Sequence, residues 1–400
     1  MKSIAIVGAG QRCYTNYATA LVRKYSDAWN LCGVCDPNIG RCEFFRDTLK
    51  GDLAVYTDFD LMLKEQHPDA ILVTTPDCYH HEYIIRALDF GCDVYSEKPL
   101  TVDEEKCRAI REAEKRSGRR VTVTFNCRFM PYFAKLKEII ASGNIGKPLS
   151  IHYEYVLNTV HGGDYFKRWH RFINISGGMM VHKATHHFDI INWLLEDDPV
   201  SVCAHGARLY YGNKEKSLGE RCSTCPGADR CLSYEPLHKH DLLRPLYFET
   251  EKHDGYVRDH CAFLPDTDIY DSMSVSVAYK KGALLTYSLN LFSTREGFTM
   301  NIIGENGQIE FSTFSEKNVI RYRDGRVDPI DYTRASGAHA GGDERMLDML
   351  FGKEKYDDPL GQCADSFDGI KSAMIGAAAN ESIKQSGKTV YLTEILEELR

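Results

Sequence analysis

Ile4-Ala5-Ile6-Val7-Gly8-Ala9-Gly10-Gln11-Arg12-Cys13 stands near the start of the chain and decides how the first part of it folds. Its apolar run predicts a buried strand, and the glycine turn that follows opens a helical pattern. This context is the one that a dinucleotide-binding fingerprint requires. Gly8 permits the tight turn, while Gly10 lets the backbone approach a pyrophosphate at the helix N-terminus. Cys13 replaces the usual third glycine but is small enough to pack there.

The next strands end in residues that suit the rest of a dinucleotide. Asp36 would accept hydrogen bonds from a ribose 2′-hydroxyl and repel a 2′-phosphate, which predicts NAD as the cofactor. The hydroxyls of Thr74-Thr75-Pro76 suit a nicotinamide ribose; a glycine turn in a flavodoxin-like sheet, with His80 simply starting a helix, is the alternative. The predicted cofactor contacts are Gly8, Gly10, Gln11, Arg12, Asp36, Thr74, Thr75, Pro76, His80, Glu97 and Lys98.

The spacing of apolar runs predicts the fold class, which is α/β. Residues 1–125 alternate strands with helical patterns, as expected for a Rossmann domain with a parallel sheet. In residues 126–400 alternating strands dominate, which predicts an α+β domain with a large, mostly antiparallel open sheet. That domain carries an insert at 212–265, rich in cysteine and histidine, and a closing helix at 363–386.

Val94-Tyr95-Ser96-Glu97-Lys98-Pro99-Leu100 is the second informative stretch. Its strand ends at a carboxylate, an ammonium and a proline. Ligands of open parallel sheets bind outside the carboxyl ends of the strands, so we expect Lys98 to project into a cleft. A solvated surface turn is the alternative for these three common residue types.

A third stretch begins at Gly177-Gly178 and continues as a predicted helix to Leu195. Within it His182, His186 and Asp189 stand at i, i+4 and i+7, which places them on one helical face. An active-site face is the favoured interpretation; metal ligation by the two histidines and a structural pair are the alternatives.

These motifs, in this order, resemble those of the Gfo/Idh/MocA oxidoreductases, a family of NAD(P)-dependent enzymes that includes inositol dehydrogenase and glucose–fructose oxidoreductase. The resemblance extends to Ala377–Ser382 in the closing helix. It implies that Lys98 lies at the nicotinamide and substrate, and that His186 exchanges a proton with the reacting hydroxyl. The family commonly has aspartate where this chain has His182, which we count as a third catalytic candidate.

The resemblance also implies a carbohydrate substrate and a homo-oligomer, dimer or tetramer, formed through the open sheet. Tyr165–Arg171 precedes the histidine helix with aromatic and cationic groups that suit a sugar; a packed loop around Trp169 is the alternative. The predicted substrate contacts are Lys98, Arg128, Arg168, Trp169, Lys183 and His186.

The insert contains Cys222-x2-Cys225-x5-Cys231, with Cys261 further along. Thiolates at such spacing can hold tetrahedral zinc, so a structural zinc and a set of reduced thiols are the two interpretations. Fourteen cysteines scattered over 400 residues otherwise indicate reduced core thiols and a cytoplasmic protein.

A formal net charge of −8 argues against nucleic acid as the main partner. No apolar run is long enough to span a membrane, and because the first strand has no charged leader and cleavage site before it, we expect no signal peptide. The sequence therefore predicts an NAD-dependent dehydrogenase acting on a sugar or polyol hydroxyl. A glycosidase working by transient oxidation and a non-catalytic sensor on the same fold are the alternatives.

Overall fold

The structure is a computed structural model that describes residues 1–333, 338–354 and 357–400. Within these ranges the strands form two sheets, one of seven strands and one of nine. The strand-and-helix alternation of the first part of the chain produces the first sheet, and the two-residue periodicity of the later part produces the second. The predicted α/β fold class is confirmed.

The first sheet is parallel except at one edge. Its strands are β1 (Lys2–Val7), β2 (Trp29–Cys35), β3 (Ala54–Tyr56), β4 (Ala70–Val73), β5 (Asp93–Ser96), β6 (Val121–Val123) and β15 (Ala364–Asp365). Their order is β15-β6-β5-β4-β1-β2-β3, and β15 pairs antiparallel with β6. All four residues of β4 are buried, as expected for a strand covered by helices on both faces. The carboxyl ends of β1, β2, β4 and β5 therefore meet along one edge.

The second sheet is mostly antiparallel. Its strands are β7 (Pro148–Asn158), β8 (Pro199–Ala207), β9 (Ser272–Tyr279), β10 (Leu284–Ser293), β11 (Gly297–Gly304), β12 (Gly307–Ser312), β13 (Val319–Tyr322), β14 (Val327–Pro329) and β16 (Val390–Tyr391). Among the described strands of this sheet, only β7 and β10 pair in parallel. In β11 buried residues alternate with half-buried ones, so one face of the sheet packs on the core.

The helices cover both sheets. They are α1 (Thr19–Arg23), α2 (Ile39–Leu49), α3 (Phe59–Gln66), α4 (His80–Phe90), α5 (Glu104–Ser117), α6 (Pro131–Ala141), α7 (Thr159–Tyr165), α8 (Ile173–Ser176), α9 (Gly178–His182), α10 (Thr185–Leu195), α11 (Glu251–Asp254), α12 (Gly342–Phe351), α13 (Ser366–Lys384) and α14 (Thr393–Leu399). A π-helical segment, Cys13–Ala18, precedes α1. In α13, Asn380 Nδ2 donates to the Gly177 carbonyl at 2.6 Å, which fixes the start of α9.

The predicted histidine helix is not continuous. Helix α9 ends at His182 and α10 begins at Thr185. The His182 carbonyl, which would accept from the His186 amide in an unbroken helix, instead accepts from Lys98 Nζ at 3.0 Å. The prediction of one continuous helix through His182, His186 and Asp189 is therefore wrong, because Lys183 and Ala184 separate two helices.

Four of the strands are very short: β3, β14, β15 and β16. Each has only two or three residues, too few for a periodicity to be recognised. Among the described residues, no helix combines the length and the apolar character needed to cross a bilayer.

Candidate active site

The glycine turn lies against the turn that follows β4. The Thr74 amide donates to the Val7 carbonyl at 2.9 Å, and Thr74 Oγ1 donates to the Gly8 carbonyl at 2.6 Å. Gly8 has a φ of +96°, and an added Cβ would lie 2.6 Å from the Thr74 carbonyl. Only glycine fits this position, because the conformation and the close approach both exclude a side chain.

Asp36 lies at the carboxyl end of β2, beside the glycine turn. Its two carboxylate oxygens accept from the Ala9 and Asn38 amides, each at 2.8 Å. Burial raises the pKa of Asp36, and the nearby Arg41 guanidinium works against that rise. Each carboxylate oxygen can accept a further hydrogen bond, so the group retains acceptor capacity for a ribose hydroxyl.

Thr75 adds a second sign that a polar ligand fits this edge. Its Oγ1 is buried and has no hydrogen-bond partner among the described residues. Buried hydroxyls are normally satisfied, so an unpaired one at the ligand-binding edge of a parallel sheet suits a bound polar group. The glycine turn, Asp36 and Thr75 together fit a dinucleotide.

Three of the predicted cofactor contacts, Arg12, Glu97 and His80, make hydrogen bonds within the protein around the cleft. Arg12 Nε donates to Glu97 Oε1 at 2.8 Å, and its Nη2 donates to Asp343 Oδ1 at 2.7 Å. The His80 ring lies between the Thr75 and Pro99 carbonyls, 2.8 Å from each. Direct contact of Arg12, Glu97 and His80 with a cofactor stays a prediction, while their observed contacts fix the turns around the cleft.

Lys98 projects from the end of β5 toward the break between α9 and α10. Its ammonium has three N–H donors, of which the described structure engages one, in the hydrogen bond to the His182 carbonyl. Burial lowers the pKa of Lys98, while Asp77 and Glu97 partly offset that effect. A half-buried ammonium with free donors can bind and polarise a substrate oxygen.

Sequence reasoning missed Asp77, although it follows the predicted Thr75-Pro76 pair directly. Its Oδ2 lies 2.6 Å from His182 Nδ1, and both side chains are buried. Burial raises the pKa of Asp77 and lowers that of His182. Two acceptors cannot approach this closely without a proton between them, so the contact fixes the orientation of the imidazole. Its position after a turn proline at a strand's carboxyl end was the available signal.

His186 differs from His182 in having no such partner. Its ring lies edge-on to Phe125, with centroids 6.1 Å apart, and its buried Nδ1 has no hydrogen-bond partner among the described residues. Burial lowers the pKa of His186 far below its ordinary value, and the positive charges of Lys98 and Lys183 lower it further. The ring is therefore neutral near pH 7 and able to accept a proton.

Aromatic and basic groups surround these residues. Trp169 stacks on His170 with ring centroids 3.6 Å apart, and the His170 ring lies 4.3 Å from that of His182. Arg168 pairs with Asp164. Lys183, in the break between the helices, places its ammonium 5.2 Å from the centre of the Tyr155 ring.

Arg128 lies apart from this group, contrary to its prediction as a substrate contact. Its Nε and Nη2 donate to the two oxygens of Asp189 at 2.9 and 2.6 Å, and its Nη1 donates to the Gly361 carbonyl. The side chain is only 2% exposed. The guanidinium is therefore held inside the fold, where it joins the segment before α6 to α10.

The predicted zinc ligands in the insert come together without forming a metal site. Cys222, Cys225, Cys231 and Cys261 line one small cavity, and all four are free thiols. Among the described side chains, no group of three or more His, Cys, Asp or Glu is arranged to hold a metal ion. The structural zinc is therefore not supported, and the interpretation as reduced thiols fits the structure.

Comparison with protein families assigns both parts of the chain. Residues 2–125 match the NAD-binding Rossmann fold of the Gfo/Idh/MocA oxidoreductases, and residues 137–392 match the C-terminal alpha/beta domain of that family. The chain belongs to the Gfo/Idh/MocA oxidoreductase family. It is accordingly an NAD-binding oxidoreductase, as the resemblance predicted.

Among the relatives in the Gfo/Idh/MocA family, YteT of Bacillus subtilis, named as an oxidoreductase, is 32% identical over 391 residues. That match covers 89% of this chain and 91% of YteT. The scyllo-inositol 2-dehydrogenase (NAD(+)) of the same organism is 31% identical over 228 residues, covering 54% of this chain and 61% of that enzyme.

Solved structures share the fold of the whole chain. The WlbA dehydrogenase from Bordetella pertussis, in complex with NADH and UDP-GlcNAcA, has a TM-score of 0.67 at 17% identity and covers 98% of both chains. An oxidoreductase from Agrobacterium radiobacter in complex with NAD+, L-tartaric acid and magnesium has a TM-score of 0.69 at 15% identity, covering 98% of this chain and 99% of that one. At these identities the likeness shows the fold alone. The predicted homo-oligomer stays a prediction.

Proposed function

We propose that this oxidoreductase is a dehydrogenase that oxidises a hydroxyl group of a sugar or cyclic polyol. The observation that carries the proposal is the position of Lys98, whose ammonium extends from the end of β5 and donates to the His182 carbonyl at the break between α9 and α10. His186 lies in the first turn of α10, just past that break, and its buried Nδ1 has no hydrogen-bond partner among the described residues. A donor that holds the hydroxyl oxygen and a neutral base that takes its proton are the two groups that such an oxidation needs.

Each residue has a defined part in the reaction. Lys98 donates a hydrogen bond to the hydroxyl oxygen and stabilises the negative charge that develops on it. His186 accepts the proton of the hydroxyl. Bound NAD would supply the hydride acceptor, so two electrons and two protons would leave the substrate in all, as one hydride and the hydroxyl proton.

His182 and Asp77 supply the positioning. The His182 carbonyl fixes Lys98, and Asp77 fixes the His182 ring. The family commonly has an aspartate at position 182, and in this chain the Asp77 carboxylate, from the turn after β4, contacts the histidine that stands there. Asp77 also raises the pKa of Lys98 against the larger, lowering effect of burial.

The substrate class follows from the surroundings and the relatives. Trp169 offers an aromatic face, and Arg168 and Lys183 offer cations and N–H donors, which suit the many hydroxyls of a carbohydrate. Inositol 2-dehydrogenases are among the relatives, which supports a polyol as one candidate.

A screen of inositols, aldoses and glycosides tests the proposal. Each compound is incubated with the protein and NAD, and both NADH formation and glycoside cleavage are measured. We expect NADH to accumulate with one group of sugars or polyols. Glycoside cleavage without net NADH would instead identify a hydrolase that works by transient oxidation. No reaction with any compound, together with ordinary NAD binding, would point to the non-catalytic sensor.

A further inference from the structure

Part of the insert returns to the first sheet and lies across two of its turns. Residues 244–258, which we call the strap, include the helix α11. The Thr250 carbonyl accepts from Asn38 Nδ2 at 2.9 Å, in the turn after β2. Gly40 lies so close to the strap that an added Cβ would come within 2.9 Å of the Thr250 and His253 side chains. The strap is therefore packed directly onto the side of the sheet where Asp36, the predicted ribose ligand, lies.

A second set of contacts joins the strap to the glycine turn. The Gln11 amide donates to Tyr247 Oη at 2.8 Å, and Arg258 Nη2 donates to Gln11 Oε1 at 2.6 Å. The Arg258 guanidinium lies over the Tyr247 ring, 4.9 Å from its centre. Arg258 is 6% exposed, and its buried Nε has no hydrogen-bond partner among the described residues.

These contacts occupy a position where an anion is expected. Gln11 opens the helical segment after the glycine turn, and backbone amides at such a helix start bind phosphate oxygens. One N–H donates to one acceptor, so the Tyr247 hydroxyl takes the place that a phosphate oxygen would need. A buried guanidinium N–H without a partner is costly, and a phosphate oxygen is an acceptor that would satisfy it.

We propose that the strap supplies the second wall of the dinucleotide site, with Arg258 as a pyrophosphate-binding residue. Tyr247 holds the Gln11 amide while the site is empty and releases it to a phosphate oxygen when the dinucleotide enters. Because the strap crosses both the glycine turn and the turn after β2, NAD enters and leaves only when the strap moves.

The first test replaces Arg258 with methionine, which keeps the unbranched stem and removes the charge. Binding of ADP-ribose and of adenosine is measured by calorimetry. The dissociation constant of ADP-ribose should rise on the order of 10–100-fold, as for the loss of hydrogen bonds to a charged group, while that of adenosine should not change. Arg244→Met is the matched control, since Arg244 lies on the strap but is 59% exposed and pairs with Glu249.

Two outcomes of this test would overturn the proposal. Equal losses for ADP-ribose and adenosine would show that Arg258 only supports the fold, and unchanged binding of both would show that it does not touch the pyrophosphate. Thermal unfolding of each variant checks that the fold is intact. Because no substrate is used, these results do not depend on whether the protein is a dehydrogenase.

The second test uses Tyr247→Phe, which keeps the ring and removes the hydroxyl that competes for the Gln11 amide. The association rate of NADH, followed by its fluorescence in a stopped-flow instrument, should rise about fivefold, since one neutral hydrogen bond contributes about 1 kcal/mol. An unchanged association rate, or weaker binding of NADH, would contradict the role given to Tyr247. This variant leaves Arg258 in place, so it tests the strap even if Arg258→Met fails to fold.

Discussion

The glycine turn is contacted from two regions of very different origin. The turn after β5 reaches it through the Glu97–Arg12 pair, and the strap reaches it from 236 residues away through Tyr247 and Gln11. In the proposed reaction the first region supplies Lys98, which holds the substrate hydroxyl, whereas in the proposed cofactor site the second region covers the pyrophosphate. On this account, separate parts of the chain serve the reaction and the binding of the cofactor. Substitutions in the two regions should therefore have separable effects.

Lys98→Ala and His186→Ala should show the largest difference between the effect on the reaction rate and the effect on NAD binding. Each should lower the rate of hydride transfer on the order of 10²–10⁴-fold, since one loses charge stabilisation and the other the base. NAD affinity should stay nearly unchanged in both, because the strap and Asp36 are intact. Single-turnover kinetics and NAD titration measure the two quantities. Lys115→Ala, an exposed lysine on α5, is the control that should alter neither.

Arg128→Ala should affect stability more than chemistry. Breaking its buried pair with Asp189 leaves an unpaired carboxylate, which should lower the free energy of unfolding by about 3–5 kcal/mol. Arg116→Ala, in an exposed pair with Asp89, should change it by no more than about 1 kcal/mol. Urea denaturation of both variants measures the effect. An Arg128 variant of normal stability but with weak substrate binding would restore the sequence prediction.

The pH profile tests Asp77. Wild-type activity should persist below the ordinary histidine pKa of about 6.5, because the lowered pKa of His186 keeps the base unprotonated. The alkaline limb should follow Lys98, whose pKa burial lowers and Asp77 raises. Asp77→Asn removes the negative charge that raises the pKa of Lys98. Lys98 should then lose its proton at lower pH, and the alkaline limb of the activity profile should shift to lower pH.

Glu82→Gln is the control for that experiment. It removes one carboxylate from an exposed position at the start of α4, so the pH profile should not change. An alkaline limb that stays fixed in Asp77→Asn would remove Asp77 from the positioning role. Loss of activity at every pH without a shift would indicate a structural effect alone.

The smallest effect concerns the choice of cofactor. A 2′-phosphate beside the Asp36 carboxylate is repelled, so NAD should bind on the order of tenfold or more tightly than NADP. Asp36→Asn should narrow that ratio, since it removes the charge. Titration of both cofactors by tryptophan fluorescence measures it. Equal binding of the two by the wild-type protein would contradict the assignment of Asp36.

The sequence predicts which residues lie at the carboxyl edge of the first sheet, because the pattern that places them there is local. Asp36, Thr75 and Lys98 each follow a buried apolar run, and the carboxyl ends of neighbouring parallel strands lie together in this fold. The residue types alone then indicated a nucleotide and a proton-transfer site. The position of Asp77 directly after Pro76 places it at the same edge by the same argument.

The remaining features depend on contacts between distant parts of the chain. At the break after His182, the His182 carbonyl accepts a hydrogen bond from Lys98, a contact that the periodicity of α9 and α10 does not reveal. Nothing in the sequence around Arg128 reveals its buried ion pair with Asp189, which lies 61 residues further along the chain. The strap lies within an insert whose cysteine spacing suggested zinc, while its contacts with Gln11 arise only in the folded chain.

Deuterium transfer is the most direct test of the central claim that Lys98 and His186 convert a hydroxyl to a carbonyl at the expense of NAD. A substrate from the screen is labelled with deuterium on its hydroxyl-bearing carbons and mixed with protein and NAD in a single turnover. We predict that the label appears on the nicotinamide of wild-type protein, and far more slowly with His186→Ala. Label that is released to solvent, or that reaches the nicotinamide at the wild-type rate in His186→Ala, would contradict the account.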